Sequence, residues 1–252
     1  MIVCVGLATR DTIYAVPRHP GADDLVVAST RTVAGGGPAA TAAVAMAKLG
    51  ADVRFVGVVE GELDGIADVV RMPGRMVESA ILVNDEGRSI VTEPPAQFTV
   101  GAEVLEGATW VHVDHVGYAA LGPDCFATGL PISVDGGHPI PTLDVDAIEV
   151  WAPPEARDDG RRAKITVVTR GADGCTAYTE GESFDVPCYP VDAVSTLGAG
   201  DVFHGALATC LDRGLALRDS LVRANACAAL SCRALDGRSA VPSWDELEAA
   251  VA

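Results

Sequence analysis

The stretch Ser195-Thr196-Leu197-Gly198-Ala199-Gly200-Asp201-Val202-Phe203-His204-Gly205 sets a small-residue turn, an acid and an apolar run side by side, and constrains the chain more than any other segment. Two glycines flanking one alanine let the backbone turn tightly and approach a ligand without Cβ interference. From Ala199 onward the sequence predicts a buried helix, so the N–H groups of the turn stand at a helix N-terminus, where anions bind. Asp201 lies in the first turn, favoured by the helix dipole. It is placed to take a proton from a hydroxyl attacking whatever the N–H groups hold. An ordinary first-turn Asp after a glycine loop is the alternative that these residues alone leave open.

The rest of the chain reads as short apolar strands alternating with small-residue helices, the pattern of a parallel α/β sheet. Its 252 residues, 49% of them hydrophobic, suit one elaborated α/β domain or at most two small ones. Ile2 to Leu7, Val53 to Val59, Trp110 to Val113, Pro131 to Val134, Ala147 to Val150 and Ile165 to Thr169 are the core strands expected. A turn after Thr169 leads into Cys175 to Tyr178 as a hairpin or bulge. Asp11 follows the first strand, where open α/β sheets bind ligands; it is either a substrate-hydroxyl partner or a turn former. Thr12 to Val16 and Leu25 to Val33, and then Met76 to Asn84 and Arg88 to Glu93, read as strand pairs outside the core. Glu60 to Gly74 between them is polar and only weakly helical.

Gly35-Gly36-Gly37-Pro38 opens a helix from about Ala39 to Leu49, with Pro at its start and Gly50 beyond its end, and gives a second place where backbone can meet a ligand. Asp219 to Ala234 forms another helix, whose Asn225 needs partners, either neighbouring backbone or the edge of a bound base. Ser243 and Glu246 spell a capping box for the last helix.

Eighteen basic against 35 acidic residues leave a formal charge of −17, which argues against nucleic-acid and membrane-surface partners. With no basic leader and no span-length apolar run, the expectation is a cytoplasmic protein. Seven cysteines, without a C-x-x-C pair, read as reduced core residues. His112, His115 and His138 fall near strand ends as polar neighbours rather than metal ligands.

Two segments together resemble the ribokinase-like, or PfkB-type, carbohydrate kinases. Gly36-Gly37-Pro38-Ala39-Ala40-Thr41-Ala42 through Leu49-Gly50 is similar to the first signature of that family, and Leu197 to Ala206 to the second, in matching order. The wording of both is especially similar to that of sulfofructose kinases. The resemblance implies a three-layer α/β/α core with a small β-sheet lid: residues 1–10 core, 11–33 lid strands, 34–74 core, 75–100 lid hairpin, and 101–252 core with the nucleotide and catalytic site. It implies ATP-dependent phosphorylation of a sugar hydroxyl, with Asp201 as base and Gly198, Ala199 and Gly200 as anion hole. Asp11, Gly36, Gly37 and Thr41 match sugar-binding positions, and Thr169, Gly171, Gly174 and Asn225 match nucleotide-binding ones. Mg²⁺ bridging the phosphates is implied, with Glu155 at the place of a metal-associated Glu, as is a homodimer through the lid.

The departures are equally specific. Ser195 and Leu197 replace the usual Asp and Thr of the second signature, which leaves open whether the monovalent-cation site expected beside that loop is kept. Thr41 stands where many members have Asn, and the Asn preceding Glu155 is missing. Helices around Gly61 to Gly74 and Arg157 to Arg162 are absent. Leu25 and Val116 stand where a sulfonate would need basic residues, leaving Arg10, Arg31 and His115 as the nearby cations. These departures motivate a second expectation, a binding or regulatory protein that keeps the pocket without transfer. A dinucleotide oxidoreductase lacks its fingerprint after the first strand.

Overall fold

The computed structural model describes residues 1–252. Strands β1 (Ile2–Val5), β4 (Val53–Gly57), β5 (Asp68–Arg71), β8 (Trp110–Val113), β9 (Ile132–Asp135), β10 (Val150–Ala152), β11 (Ile165–Thr169), β12 (Cys175–Tyr178) and β13 (Ser183–Val186) make one sheet, ordered β13-β12-β11-β10-β9-β8-β1-β4-β5. The seven strands from β11 to β5 pair in parallel, and β12 and β13 add an antiparallel edge.

The period-2 alternation of side chains sorts this sheet into two faces. Ile2 and Cys4 of β1 join Trp110, Val150 and Ala152 against helices α1 (Pro38–Lys48), α4 (Ala199–Asp212), α5 (Leu217–Ser231) and α6 (Trp244–Val251). Val3 and Val5, with Val111, Val113, Ile132, Val134 and Trp151, face a thinner layer of short helices, α2 (His115–Ala120) and α3 (Pro123–Phe126), and 3-10 turns. The result is the three-layer α/β/α core. No helix is long and apolar enough to cross a membrane.

A second sheet, ordered β3-β2-β6-β7, is built from β2 (Thr9–Ala15), β3 (Thr30–Gly36), β6 (Val77–Asn84) and β7 (Gly87–Thr92). Asp11 pairs with Ala34 and Ser79, and Ile13 with Thr32 and Ile81, so both share the inner face. Thr12, Val33, Ala80 and Val91 form a row on the outer face.

Several boundaries differ from the sequence expectation. β2 begins at Thr9, so Thr9 and Arg10 belong to the lid, and Asp11 stands within a lid strand rather than after a core one. Its partner runs Thr30–Gly36, while Leu25 and Val27 lie exposed in a loop, because Pro17 and Pro20 offer no N–H to a ladder. Glu60 to Gly74 holds edge strand β5, whose Asp68 pairs with Arg54 at 2.8 Å; an edge strand takes polar residues without cost to the core. Ala147 closes a 3-10 turn capped by Asp144, and the strand begins only at Val150. Strand β13 and helices α2 and α3 are too short to announce themselves by periodicity.

One side chain ties these layers together. Asp114, at the carboxyl end of β8, caps α2 by accepting the N–H groups of Val116 (2.9 Å) and Gly117 (2.8 Å) on Oδ1. Its Oδ2 accepts Leu7 N–H after β1 (2.8 Å) and Ala39 N–H at the start of α1 (3.2 Å). An amide in its place would set an NH₂ against two backbone donors. Asp114→Asn is expected to cost about 3 kcal/mol, and for a chain of this size to lower Tm by about 6–12 °C in calorimetry.

Candidate active site

The carboxyl ends of the parallel strands and the inner face of the lid enclose a cleft of about 420 Å³. Leu7, Asp135, Pro154 and Thr169 line it from the core, Asp11, Ser79, Ile81 and Arg88 from the lid, and Gly198, Gly200 and Asp201 from the turn before α4. The two signature segments, one ending at Gly50 and the other beginning at Leu197, meet across it.

Gly198 is the N-cap of α4, with φ 75° and ψ −1°. An L side chain resists this left-handed conformation, and a Cβ at 198 would also lie 2.8 Å from Gly237 Cα. The amides of Gly198, Gly200 and Asp201 find no partner within the chain, whereas Ala199 N–H turns to Thr196 O at 3.3 Å. Ala199 does not line the cleft. Of the amides in this turn, those of Gly198, Gly200 and Asp201 are free and that of Ala199 is engaged within the turn. Three free N–H groups at a helix start are an arrangement that can hold an anion.

The Asp201 carboxyl beside them is pushed up to about 7, by burial first and then by the nearby Asp135 carboxylate. Asp135, at the end of β9, accepts Gly137 N–H at 2.6 Å and faces His204 Nδ1 at 3.1 Å. Burial opposes its charge, but the His204 imidazolium and the Gly137 N–H hold it well below the usual carboxylate range. His204, one turn along α4 from Asp201, is disfavoured as a cation by burial, yet the charges of Asp135 and Asp201 raise it above the ordinary histidine value. Two carboxyl groups and the imidazole between them are thus held as one cluster.

Asp11 is presented from β2. Thr9 Oγ1 donates to its Oδ1 at 2.6 Å, and a side chain at Gly36 would run into its other oxygen. Burial raises its carboxyl, with the Thr9 and Ser79 hydroxyls and the charge of Arg238 working in the opposite direction. Gly36, Gly37 and Thr41 line the cleft beside it, from the end of β3 and the start of α1.

The profile of the pfkB family carbohydrate kinases matches residues 1–65 and 154–244, the segments that carry both turns. The chain belongs to this family of carbohydrate kinases. An ATP-dependent ribose-1-phosphate kinase of Halopiger xanaduensis is 29% identical over 98% of this chain and 97% of its own length. The ribokinase of Bacillus subtilis is 23% identical over 98% of each chain. The ribokinase of Arabidopsis thaliana, solved with ribose and ATP, superposes with a TM-score of 0.80 over 99% of this chain and 98% of its own, at 21% identity. The ribokinase fold expected from the sequence is the fold observed.

On the far side of the cleft this kinase departs from the residue-by-residue expectation. Thr169 lines the cleft, but Gly171 and Gly174 lie outside the lining. Gly174 serves packing instead, since at φ 82° a Cβ there would strike the Val186 carbonyl of β13. The Asn225 amide donates to Val186 O (3.3 Å) and Pro187 O (3.0 Å), so its NH₂ holds the β13 end rather than standing free. Glu155 is exposed and outside the lining, while its neighbour Arg157 faces the cleft. No group of three His, Cys, Asp or Glu side chains clusters for a metal. Arg10, Arg31 and His115 do not line the cleft either, which leaves a sulfonate without those cations. His115 instead stacks on His138 at 4.3 Å between ring centroids.

Asp114, Asp135, His204, Arg88 and Arg238 were not singled out by sequence reasoning. A signal existed for Asp135 alone, an acid followed by two glycines at a strand end. If Asp201 acts as a base, it must be ionised. With its carboxyl near 7, log(kcat/KM) is expected to rise with pH through about 7 before levelling. A rate already flat at about pH 5, as an ordinary carboxylate would give, would contradict the cluster.

Proposed function

We propose that this carbohydrate kinase phosphorylates a hydroxyl of a ribose-like sugar or sugar phosphate with ATP, using Asp201 as general base. The observation that carries the reading is the pairing of the Asp201 carboxyl with three free N–H groups on one wall of a cleft whose opposite wall presents Asp11. The acceptor sits between Asp11, Gly36, Gly37 and Thr41, its ring covered by Ile13 and Ile81 of the lid. Asp11 accepts a hydrogen bond from a spectator hydroxyl and fixes which oxygen faces Asp201. Asp201 takes the proton of the attacking hydroxyl. The Gly198, Gly200 and Asp201 amides stabilise charge growing on the transferred group, as fixed donors in a cleft from which water is expelled.

The nucleotide lies along Thr169 toward β13. Arg157 and Arg88 give its phosphates positive charge in a chain of net charge −17, and His138, disfavoured as a cation by burial, adds a neutral ring to that wall. Asn225 contributes by holding the wall of that subsite. Mg²⁺ asks for only one or two carboxylates beside the phosphates. Asp135, ionised and on the cleft wall, is the residue placed to hold it, in preference to Glu155. When bound, the ion neutralises phosphate charge.

The direct measurement is ADP release over a panel containing ribose, fructose and ribose 1-phosphate. Asp201→Asn is expected to lose roughly 10²–10⁴-fold in kcat; equal turnover by the two proteins would defeat the assignment. Nucleotide binding by calorimetry without turnover on any acceptor would favour the second expectation, a binding or regulatory protein.

The outer face of the lid supports a homodimer. Val33 and Val91 stand exposed in one row, flanked by the exposed Leu25 and Val27 of the preceding loop. Sedimentation is expected to give a dimer at micromolar concentration, and Val91→Glu to give a monomer; a wild-type monomer would rule this face out.

A further inference from the structure

Arg238 is 5% exposed, and no other lysine or arginine of the chain is buried. Its Nε donates to Thr41 Oγ1 at 3.2 Å and its Nη2 to the Gly36 carbonyl at 2.7 Å. No carboxylate pairs with it; Asp11, Asp64, Asp201 and Asp236 act on it only at longer range. Nη1 lies where a side chain at Gly35 would fall, so the glycine turn keeps room for the guanidinium. A buried cation without an ion-pair partner is costly to keep. This one is held under the acceptor half of the site, among Gly35, Gly36 and Thr41.

The turn that carries it is fixed from several sides. Asp236 Oδ1 accepts the N–H groups of Arg238 (2.8 Å) and Ser239 (2.7 Å), and Lys48 Nζ donates to the Arg238 carbonyl at 2.6 Å. Gly237 packs its backbone on Leu197 O and Gly198 Cα, directly against the loop before α4. The monovalent cation implied by the family resemblance belongs beside that same loop, and the residues here do not suit it. Ser195 Oγ is engaged by Leu197 N–H at 3.2 Å, and the Leu197 side chain packs on Ile13, Ile81 and Val83 of the lid and carries no oxygen.

We infer that Arg238 is the resident cation of the phosphoryl-transfer site, a positioning residue that fixes the Gly36 carbonyl and Thr41 hydroxyl and makes the enzyme independent of monovalent cations. This rests on the reading of Ser195 to Gly205 as the transfer loop. The guanidinium acts through the turn and helix start that meet the acceptor, while its backbone braces Gly198. Being covalently held, it is present at full occupancy in any salt.

The first test needs no variant. ADP affinity by calorimetry and sugar turnover are measured in potassium, sodium, lithium and tetramethylammonium chloride at one ionic strength, so that general screening is constant. Neither is expected to vary by more than about twofold. A potassium-specific gain of tenfold or more in either would overturn the inference. Because ADP binding is read separately, a protein that binds but turns over no sugar would defeat the kinase reading while the potassium series still decides this one. Arg238→Met, checked for native circular dichroism, is expected to lose roughly 10²-fold in kcat/KM, with sugar KM raised. Guanidinium ion at non-denaturing concentration is expected to restore part of that rate without affecting the wild type. Arg238→Lys, which keeps the charge but not the planar fork, falls between. Wild-type kinetics in a folded Arg238→Met protein would overturn the inference, and where that variant does not fold, Arg238→Lys and the wild-type salt series carry the test.

Discussion

The two halves of the cleft meet at a buried carboxylate that never faces substrate. Asp114 receives four backbone N–H groups from three segments: the chain leaving β1, the first turn of α1 and the first turn of α2. Helix starts and strand ends both leave unpaired amides, and burying them without acceptors would cost more than the elements gain by packing. One carboxyl side chain satisfies all four, because each of its oxygens accepts two bonds. The consequence for the site is positional. Leu7 leads into Thr9 and Asp11, and Ala39 follows the Gly36-Gly37 turn and precedes Thr41. The acceptor wall of the cleft is therefore suspended from Asp114, a residue on the strand next to β1.

A chain of net charge −17 that handles phosphates needs local charge that contradicts its global charge. The cleft does this with few groups. Arg88 and Arg157 line its open side, His204 lines its floor, and Arg238 stands behind it as a buried cation. His204 has a particular place, between Asp135 and Asp201. Two carboxylates close together in a buried site drive one of them toward protonation. The imidazolium offsets part of that repulsion, so Asp201 rises only to about 7. That value suits a base working near neutral pH, strong enough to take a proton and still ionised for much of the time.

How much of this was legible depended on range along the chain. The two glycine turns and the helix after each could be read, because Gly198 and the Gly35 to Gly37 triplet answer local demands of backbone geometry. The capping box at Ser243 and Glu246 is likewise local, and both of its bonds are formed. Asp114, Asp135 and Arg238 could not be read in the same way. Their deciding partners are remote: Ala39 and Leu7 lie 75 and 107 residues from Asp114, Gly36 lies 202 from Arg238, and His204 faces Asp135 from α4. Asn225 shows the limit from the other side. Its need for partners was clear from burial in a small-residue helix, but only the placement of β13 decides that backbone carbonyls take its amide. The lid boundaries moved for a related reason. β2 is defined by pairing with β3 and β6, and that ladder starts at Thr9, before the β-branched run that marks it in sequence.

The loop before α4 belongs physically to the lid as much as to the core. Leu197 packs with Leu235 on Ile13, Ile81 and Val83, the small apolar cluster of the lid sheet. Arg88 of β7 reaches across to donate to the carbonyl and hydroxyl of Thr196, both at 3.3 Å. The Ser195 hydroxyl accepts the Leu197 N–H, and Leu197 is an apolar anchor facing the lid. The strand that presents Asp11 is the same strand that presents Ile13 to Leu197. An acceptor held by Asp11 is therefore mechanically linked, through two residues of one β-strand, to the turn whose amides await the transferred group.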